Sequence, residues 1–206
     1  MTLRDRQKEQ GRALIRDAAE ELFISNGYTA TPVTAIAEKA GVAEKTVYNL
    51  FETKSGLLID LFRNRVLGAR DESIERQHDE VETPTEADEI IDRFCSTNEK
   101  VAARAMPLVR VVIEAAAVDS EVARLANAQE QFRFEDQSSL LTALRDQGHL
   151  RTDRPFEELQ RSLWLAAAPE LVIKAIDAGW TLEDHTEWTK QILKALLLPK
   201  SPRTQG

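Results

Sequence analysis

Lys45, Thr46, Tyr48 and Asn49 fall within five consecutive positions of a short segment, Ala43 to Phe51, whose main apolar residues are Val47, Leu50 and Phe51. At 100° per residue those three share one face of a helix. Lys45 and Asn49 then point the opposite way, and Thr46 and Tyr48 occupy the two flanks. A helix buried along one seam and polar elsewhere is what reading the DNA major groove requires. Lysine can donate there to guanine acceptors, and Tyr48 on its flank suits a phosphate. Glu44 can accept from cytosine, but it fits better as a first-turn negative charge that suits the helix dipole.

Lys54 opens the next helix, where a cation opposes the macrodipole by some tenths of a kcal/mol. That misfit is explained if a phosphate binds there, beside the free N–H groups of the helix end. Thr31 and Thr34 lie at the start of the preceding helix and are either caps or further polar contacts.

The elements that would position these residues can be read from the same stretch. Thr31 is a good N-cap and Pro32 suits the first helical position. Val33, Ile36, Ala37 and Ala40 give one apolar face, and small Ala37 lets a second helix cross closely. Gly41 supplies a left-handed residue at the joint, and Val42 plugs the gap between the helices. Two short helices joined at Gly41–Val42, with a third beginning after Thr53, are the layout of a helix-turn-helix.

From Gly27 to Leu58 the chain resembles the DNA-binding domain of the TetR family of bacterial repressors. The matching residues are Gly27, Tyr28, Thr31, Val33, Ile36, Ala37, Ala40, Gly41, Val42, Val47, Tyr48, Phe51, Thr53, Lys54 and Leu57. The resemblance covers about residues 12–61. Three positions depart from the pattern: Ala43 replaces the usual Ser or Thr cap, Pro32 a second hydroxyl residue, and Leu50 a common Tyr or His. The resemblance implies contact with double-stranded operator DNA through Thr31, Thr34, Lys45, Thr46, Tyr48, Asn49 and Lys54. It also implies a homodimer and a small-molecule effector held among the later helices. Phe62, Phe94, Met106, Phe132, Phe134 and Trp164 are candidates for lining such a pocket, although aromatic residues at helical spacing also make plain core.

The chain is acidic, with 27 Lys and Arg against 35 Asp and Glu and a formal net charge of −8. DNA binding favours basic surfaces. Residues 1–60 carry eight basic and nine acidic side chains, so about seven of the net negatives lie beyond them. The reading end is therefore near neutral, and a few placed cations and helix N-termini must do the binding. The sole cysteine, Cys95, excludes an intramolecular disulfide framework and a thiolate metal cluster. His78, His149 and His185 are scattered, and no glycine-rich phosphate loop is present, so enzyme chemistry, a cofactor and a metal are not expected. The charged N-terminus lacks the pattern of a signal peptide, and no apolar run nears the roughly 20 residues of a membrane helix. The expected compartment is the cytoplasm.

The remaining pattern is helical, so the expected fold class is all-α. The expected division is a three-helix reading domain over 1–53, a helical ligand-binding and dimerisation domain over 54–198, and a frayed tail over 199–206. Before the motif, Ala13, Leu14, Ala18, Leu22 and Phe23 suggest a first helix ending near Asn26. After Thr53 a long helix carries Leu57, Leu58, Leu61, Phe62 and Val66, then gives way to a polar stretch around 76–84. A helix capped by Thr85 runs to about Arg104, and Met106–Pro107 marks a joint. Asp119–Ser120 opens a long helix that Gly148 stops. Phe156 to Ala178 is strongly apolar on more than one face, with Pro169 set to kink or split it, and a last helix capped by Thr181 runs to about Leu198. Helices apolar on several sides are buried by their own core and by another subunit, or form the centre of a monomer. The family's two-helix dimer interface places Leu163, Val172, Ile176, Trp188, Ile192 and Leu196 there. Two alternatives are kept beside a repressor: an architectural or activating DNA-binder without effector, and a helical enzyme or interaction protein with a degenerate motif.

Overall fold

The computed structural model describes residues 3–65 and 84–199, so Val66, His78, the polar stretch up to 83 and the tail from 200 lie outside the described residues. Among the described residues all regular structure is helical, without a strand. The chain divides into two compact units, one of residues 1–69 with 104–128 and one of residues 70–103 with 129–206.

The first unit is built from α1 (Leu3–Asn26), α2 (Val33–Lys39), α3 (Glu44–Phe51) and α4, helical over 54–65. It is completed by the second half of α5 (Ala87–Ala116) and the first half of α6 (Ser120–Asp136). Its core joins Ile15, Ala19 and Phe23 of α1 to Ile36 and Ala37 of α2, Val47 and Phe51 of α3, and Leu57, Leu58 and Leu61 of α4. Leu108, Val111 and Val112 of α5 and Val122 and Leu125 of α6 close it. The buried stripe of α1 is Ile15, Ala18, Ala19 and Phe23, whereas Leu14, expected to be inside, is 49% exposed. Spacings of three, one and four residues from Ile15 make a tighter helical face than any set that includes Leu14.

Two joints in this unit differ from expectation for clear local reasons. Pro32 is the N-cap of α2, in extended conformation, and helix begins at Val33. Thr31 does not cap α2. It is fully buried, and its hydroxyl lies 2.8 Å from the Gly27 carbonyl oxygen and 3.1 Å from that of Leu22, closing the end of α1 instead. Met106–Pro107 does not break α5, which runs through it. Pro107 and Ala103 are both exposed, so the carbonyl that proline cannot serve, four residues earlier, faces solvent.

The link from α3 to α4 is very short. Glu52 sits at φ 66°, ψ −50°, and the Thr53 amide donates to the Phe51 carbonyl at 2.7 Å, a γ-turn of the strained positive-φ kind. Thr53 then caps α4, its Oγ1 accepting the Gly56 amide at 2.8 Å. A Cβ on Gly56 would overlap the Phe51 carbonyl oxygen, so the turn is closed against glycine.

The second unit contains the first half of α5, the end of α6, α7 (Ser138–Asp146), α8 (Phe156–Ala166), α9 (Pro169–Asp177) and α10 (Leu182–Leu197). Ile90, Ile91, Leu140, Leu141, Leu144, Leu159, Leu163, Leu193 and Leu197 form its core. The long helix expected from Asp119 to Gly148 is interrupted at Gln137. The Ser138 hydroxyl donates to the Glu135 carbonyl at 2.6 Å, an alternative to the helical ladder, and α7 starts anew. Pro169 splits α8 from α9: Ala168 is extended, as a residue before proline prefers, and Pro169 begins α9. Arg133 donates to the carbonyls of Trp164 (2.8 Å) and Ala167 (3.3 Å), serving groups that the split leaves without helical partners. Thr181 and Asp184 form the expected cap of α10 as a full capping box.

Two predictions follow from these local structures. Replacing Glu52 by Gly should stabilise the chain by about 1 kcal/mol through relief of the positive φ, whereas Gly56→Ala should cost about 2 kcal/mol by forcing backbone apart. Urea unfolding of the two variants checks both signs. The second concerns His185, which is buried with Nε2 unpartnered among the described residues, so that burial lowers its pKa. The unfolded chain therefore takes up that proton first as pH falls below about 6.5. Stability should be full above that pH and decline below it as the folded-state pKa is approached. In thermal melts between pH 7 and 5, His185→Gln should flatten that dependence.

Candidate nucleic-acid interface

α3 is eight residues long, so its placement depends on what it packs against. Val47 and Phe51 are almost fully buried, and Leu50 packs partly against the same core. Lys45, Tyr48 and Asn49 are exposed and Thr46 is half-buried. The polar residues expected to face outward do so, side by side on one short helix. Thr34 is exposed on α2. Gly41, at φ 67°, takes the left-handed conformation that the joint requires, and the Val42 amide bonds back to the Ala37 carbonyl at 3.0 Å. Ala43 caps α3 without a side-chain bond, which leaves the first amides of α3 open to an anion.

Several basic residues of this unit are paired internally. Arg12 and Arg16 reach Asp60 at 3.3 and 2.7 Å, Lys39 reaches Glu21 at 2.7 Å, and Arg65 pairs with Glu20. Arg12 also stacks on the Phe51 ring at 4.8 Å. On α3 no ion pair joins Lys45 among the described residues. The acidic composition thus coexists with an uncompensated cation where a duplex would meet the protein.

Lys54 is placed differently from the other proposed contacts. It is half-buried, its ammonium 4.3 Å from the centre of the Tyr28 ring. Burial lowers its pKa, against the attraction of Asp119. The Tyr28 hydroxyl donates to Asp119 at 2.7 Å, and burial together with this carboxylate pushes the tyrosine pKa well up. Burial works against the charge of Asp119, but the Tyr28 hydroxyl, the Val122 and Glu121 amides and Lys54 outweigh it and keep its carboxyl below the usual range. Tyr28, Ser55, Asp119 and Glu121 carry this arrangement and were not legible as functional residues. Tyr28 and Ser55 lie within or beside the motif, but their partners are more than sixty residues away.

Thr31, expected to contact DNA, is instead enclosed in the joint between α1 and α2 and presents no surface to a duplex. Of the six proposed pocket residues, Phe134 and Trp164 meet edge to face at 6.3 Å, and Trp164 donates to Glu130 at 3.1 Å. Phe94 packs against the core of the second unit and Phe132 is 44% exposed. Phe62 is committed to the core of the first unit, and Met106 is half-buried in that unit. Of the proposed interface residues, Leu163 is fully buried in its own core and so faces no second copy. Val172 is mostly buried, Trp188 and Leu196 are half-buried, and Ile176 and Ile192 are exposed. Leu165 and Trp180, 59% and 43% exposed, add apolar surface that the helical pattern did not single out.

No helix among the described residues is long and apolar enough to cross a membrane. The family of bacterial regulatory proteins of the tetR type matches residues 15–61. The fatty acid metabolism regulator protein of Bacillus subtilis (strain 168) is 36% identical over 84 residues, and that segment is 41% of this chain and 41% of the relative's own length. Among solved structures, a Saccharomonospora viridis protein in complex with choline is similar at a TM-score of 0.75 and 18% identity, over 93% of this chain and 100% of that one. The transcriptional regulator FadR of Bacillus subtilis, in complex with stearoyl-CoA, is similar at a TM-score of 0.66 and 22% identity, over 88% of this chain and 96% of that one. Residues 15–61, which hold the helix-turn-helix of α2 and α3, thus match the DNA-binding segment of the tetR family of bacterial regulatory proteins, and the all-helical fold is similar to that of solved transcriptional regulators.

Proposed function

We propose that the protein is a repressor that binds a palindromic operator as a homodimer and releases it when a small molecule binds. Residues 1–53 would read DNA, and 54–198 would carry regulation and dimerisation. The observation that supports DNA reading most is α3 itself, with Val47 and Phe51 anchored and Lys45, Tyr48 and Asn49 presented together on its free side. In this reading Lys45 contacts a base edge, while Thr34, Thr46, Tyr48 and Lys54 meet phosphates. Lys54 would leave the Tyr28 ring to do so.

Dimerisation is supported by the exposed apolar residues of the second unit, Leu165, Ile176, Trp180 and Ile192, which a second copy would cover. Two reading helices of such a dimer enter successive major grooves when about 34–36 Å apart. An effector would act by favouring a different spacing, and equal binding to both states would shift nothing. Solved structures of similar fold are complexes with choline and with stearoyl-CoA, which supports an organic ligand for this chain. By that likeness Phe94, Phe132, Phe134 and Trp164 remain the residues to examine for a ligand in this chain.

On a duplex selected by the protein from a randomised library, Lys45→Ala should relax preference at one base position. Lys54→Ala should weaken all sequences alike and lower the salt slope by about one unit. Binding that is unaltered by both changes would contradict this interface. In sedimentation, the unmodified chain should be a dimer at micromolar concentration and Ile192→Glu should shift it toward monomer without lowering its helicity. A stable monomer for the unmodified chain would contradict the assembly. Any ligand found to raise the melting temperature should weaken DNA binding, and DNA should weaken that ligand by the same factor.

A further inference from the structure

We infer that two carboxylates at the start of α6, Asp119 and Glu121, hold the DNA-reading helices in position by binding Tyr28 at their entry and Ser55 at their exit. The inference rests on the DNA-binding reading above. Asp119 uses both of its oxygens. Oδ1 accepts the amides of Glu121 (3.0 Å) and Val122 (3.3 Å) and so caps α6, and Oδ2 accepts the Tyr28 hydroxyl at 2.7 Å. Two residues on, Glu121 Oε2 accepts the hydroxyl of Ser55 and lies 3.4 Å from that of Thr53.

These bonds fall at opposite ends of the helix-turn-helix. Tyr28 lies between α1 and α2, and Thr53 and Ser55 lie in the joint between α3 and α4. The Tyr28 hydroxyl also feels Ser55 and Glu121, so the two attachments form one polar cluster that ties the entry of the helix-turn-helix to its exit. Tyr28 and Ser55 are 7% and 6% exposed, so loss of Asp119 takes the acceptor from a buried hydroxyl, and loss of Glu121 leaves Ser55 only the Thr53 hydroxyl at 3.0 Å. One turn of α6 thereby determines where α2 and α3 stand within the first unit. Asp119 also acts on Lys54, and a purely electrostatic role of the two carboxylates would have the opposite sign. Their charge would oppose a phosphate, and losing their partners would leave DNA binding equal or tighter. Positioning requires that binding weaken.

The test uses the full chain and the selected duplex. Tyr28→Phe keeps the ring beneath Lys54 and deletes only the hydroxyl, and Ser55→Ala deletes the other bond. The double variant should keep its helical spectrum and cooperative melt, yet bind DNA about tenfold more weakly with an unchanged salt slope, because no phosphate contact is lost. Glu121→Gln keeps an acceptor for Ser55 and should stay within about threefold of the parent, whereas Glu121→Ala should not. Without DNA, amides of residues 28–56 should exchange about tenfold faster in the double variant while those of α8 to α10 are unchanged. Equal or tighter DNA binding, a reduced salt slope, or unaltered exchange over 28–56 would overturn the inference. Failure of the parent to select any duplex would instead contradict the DNA-binding reading, and the exchange result would then decide the positioning role alone.

Discussion

A helix of eight residues does not persist in water, where lengths below about 12–15 residues are marginal even for the best helix formers. α3 exists because Val47 and Phe51 are buried, each contributing roughly 1.5–3 kcal/mol. Everything functional in the first unit depends on that anchoring. It turns Lys45, Tyr48 and Asn49 outward, and it needs α1, α2, α4 and the facing parts of α5 and α6 to supply the apolar surface. The tight turn at Glu52 and the glycine at 56 are consequences of the same demand. α4 must start directly after Phe51 if Leu57, Leu58 and Leu61 are to enter that core.

The electrostatics follow from this packing rather than from composition. An acidic chain can present a local cation while several of its other basic residues are held by carboxylates, as Arg12, Arg16, Lys39 and Arg65 are. Such exposed or half-exposed pairs add little stability, often below about 1 kcal/mol each. Net charge is therefore a poor guide to a nucleic-acid partner in this protein, and the local arrangement on one helix is the better one.

The helix-turn-helix was legible because it is local. Gly41, Val42, Val47 and Phe51 act on neighbours a few residues away, and their spacing alone carries the geometry. Pro169 and the Thr181 cap were legible for the same reason. Pro107 was misleading, because its effect depends on whether the carbonyl four residues earlier has water beside it, which spacing does not reveal. The enclosure of Thr31 depends on the carbonyls of Leu22 and Gly27, and the burial of Leu163 on Leu193 and Leu197 of α10. The partners of Tyr28 and Ser55 lie 91 and 66 residues away, beyond any pattern along the chain. Long-range polar pairing was the part that only the folded structure supplied.

The most direct measurement of the central claim, that α3 is the surface that reads DNA, is a residue-resolved map of amide and side-chain NMR shifts as a selected duplex is added. Large changes are expected at Lys45, Thr46, Tyr48 and Asn49 and at the start of α4, with the buried side of α3 little affected. Changes confined to α8, α9 and α10, with α3 unmoved at saturating duplex, would contradict it.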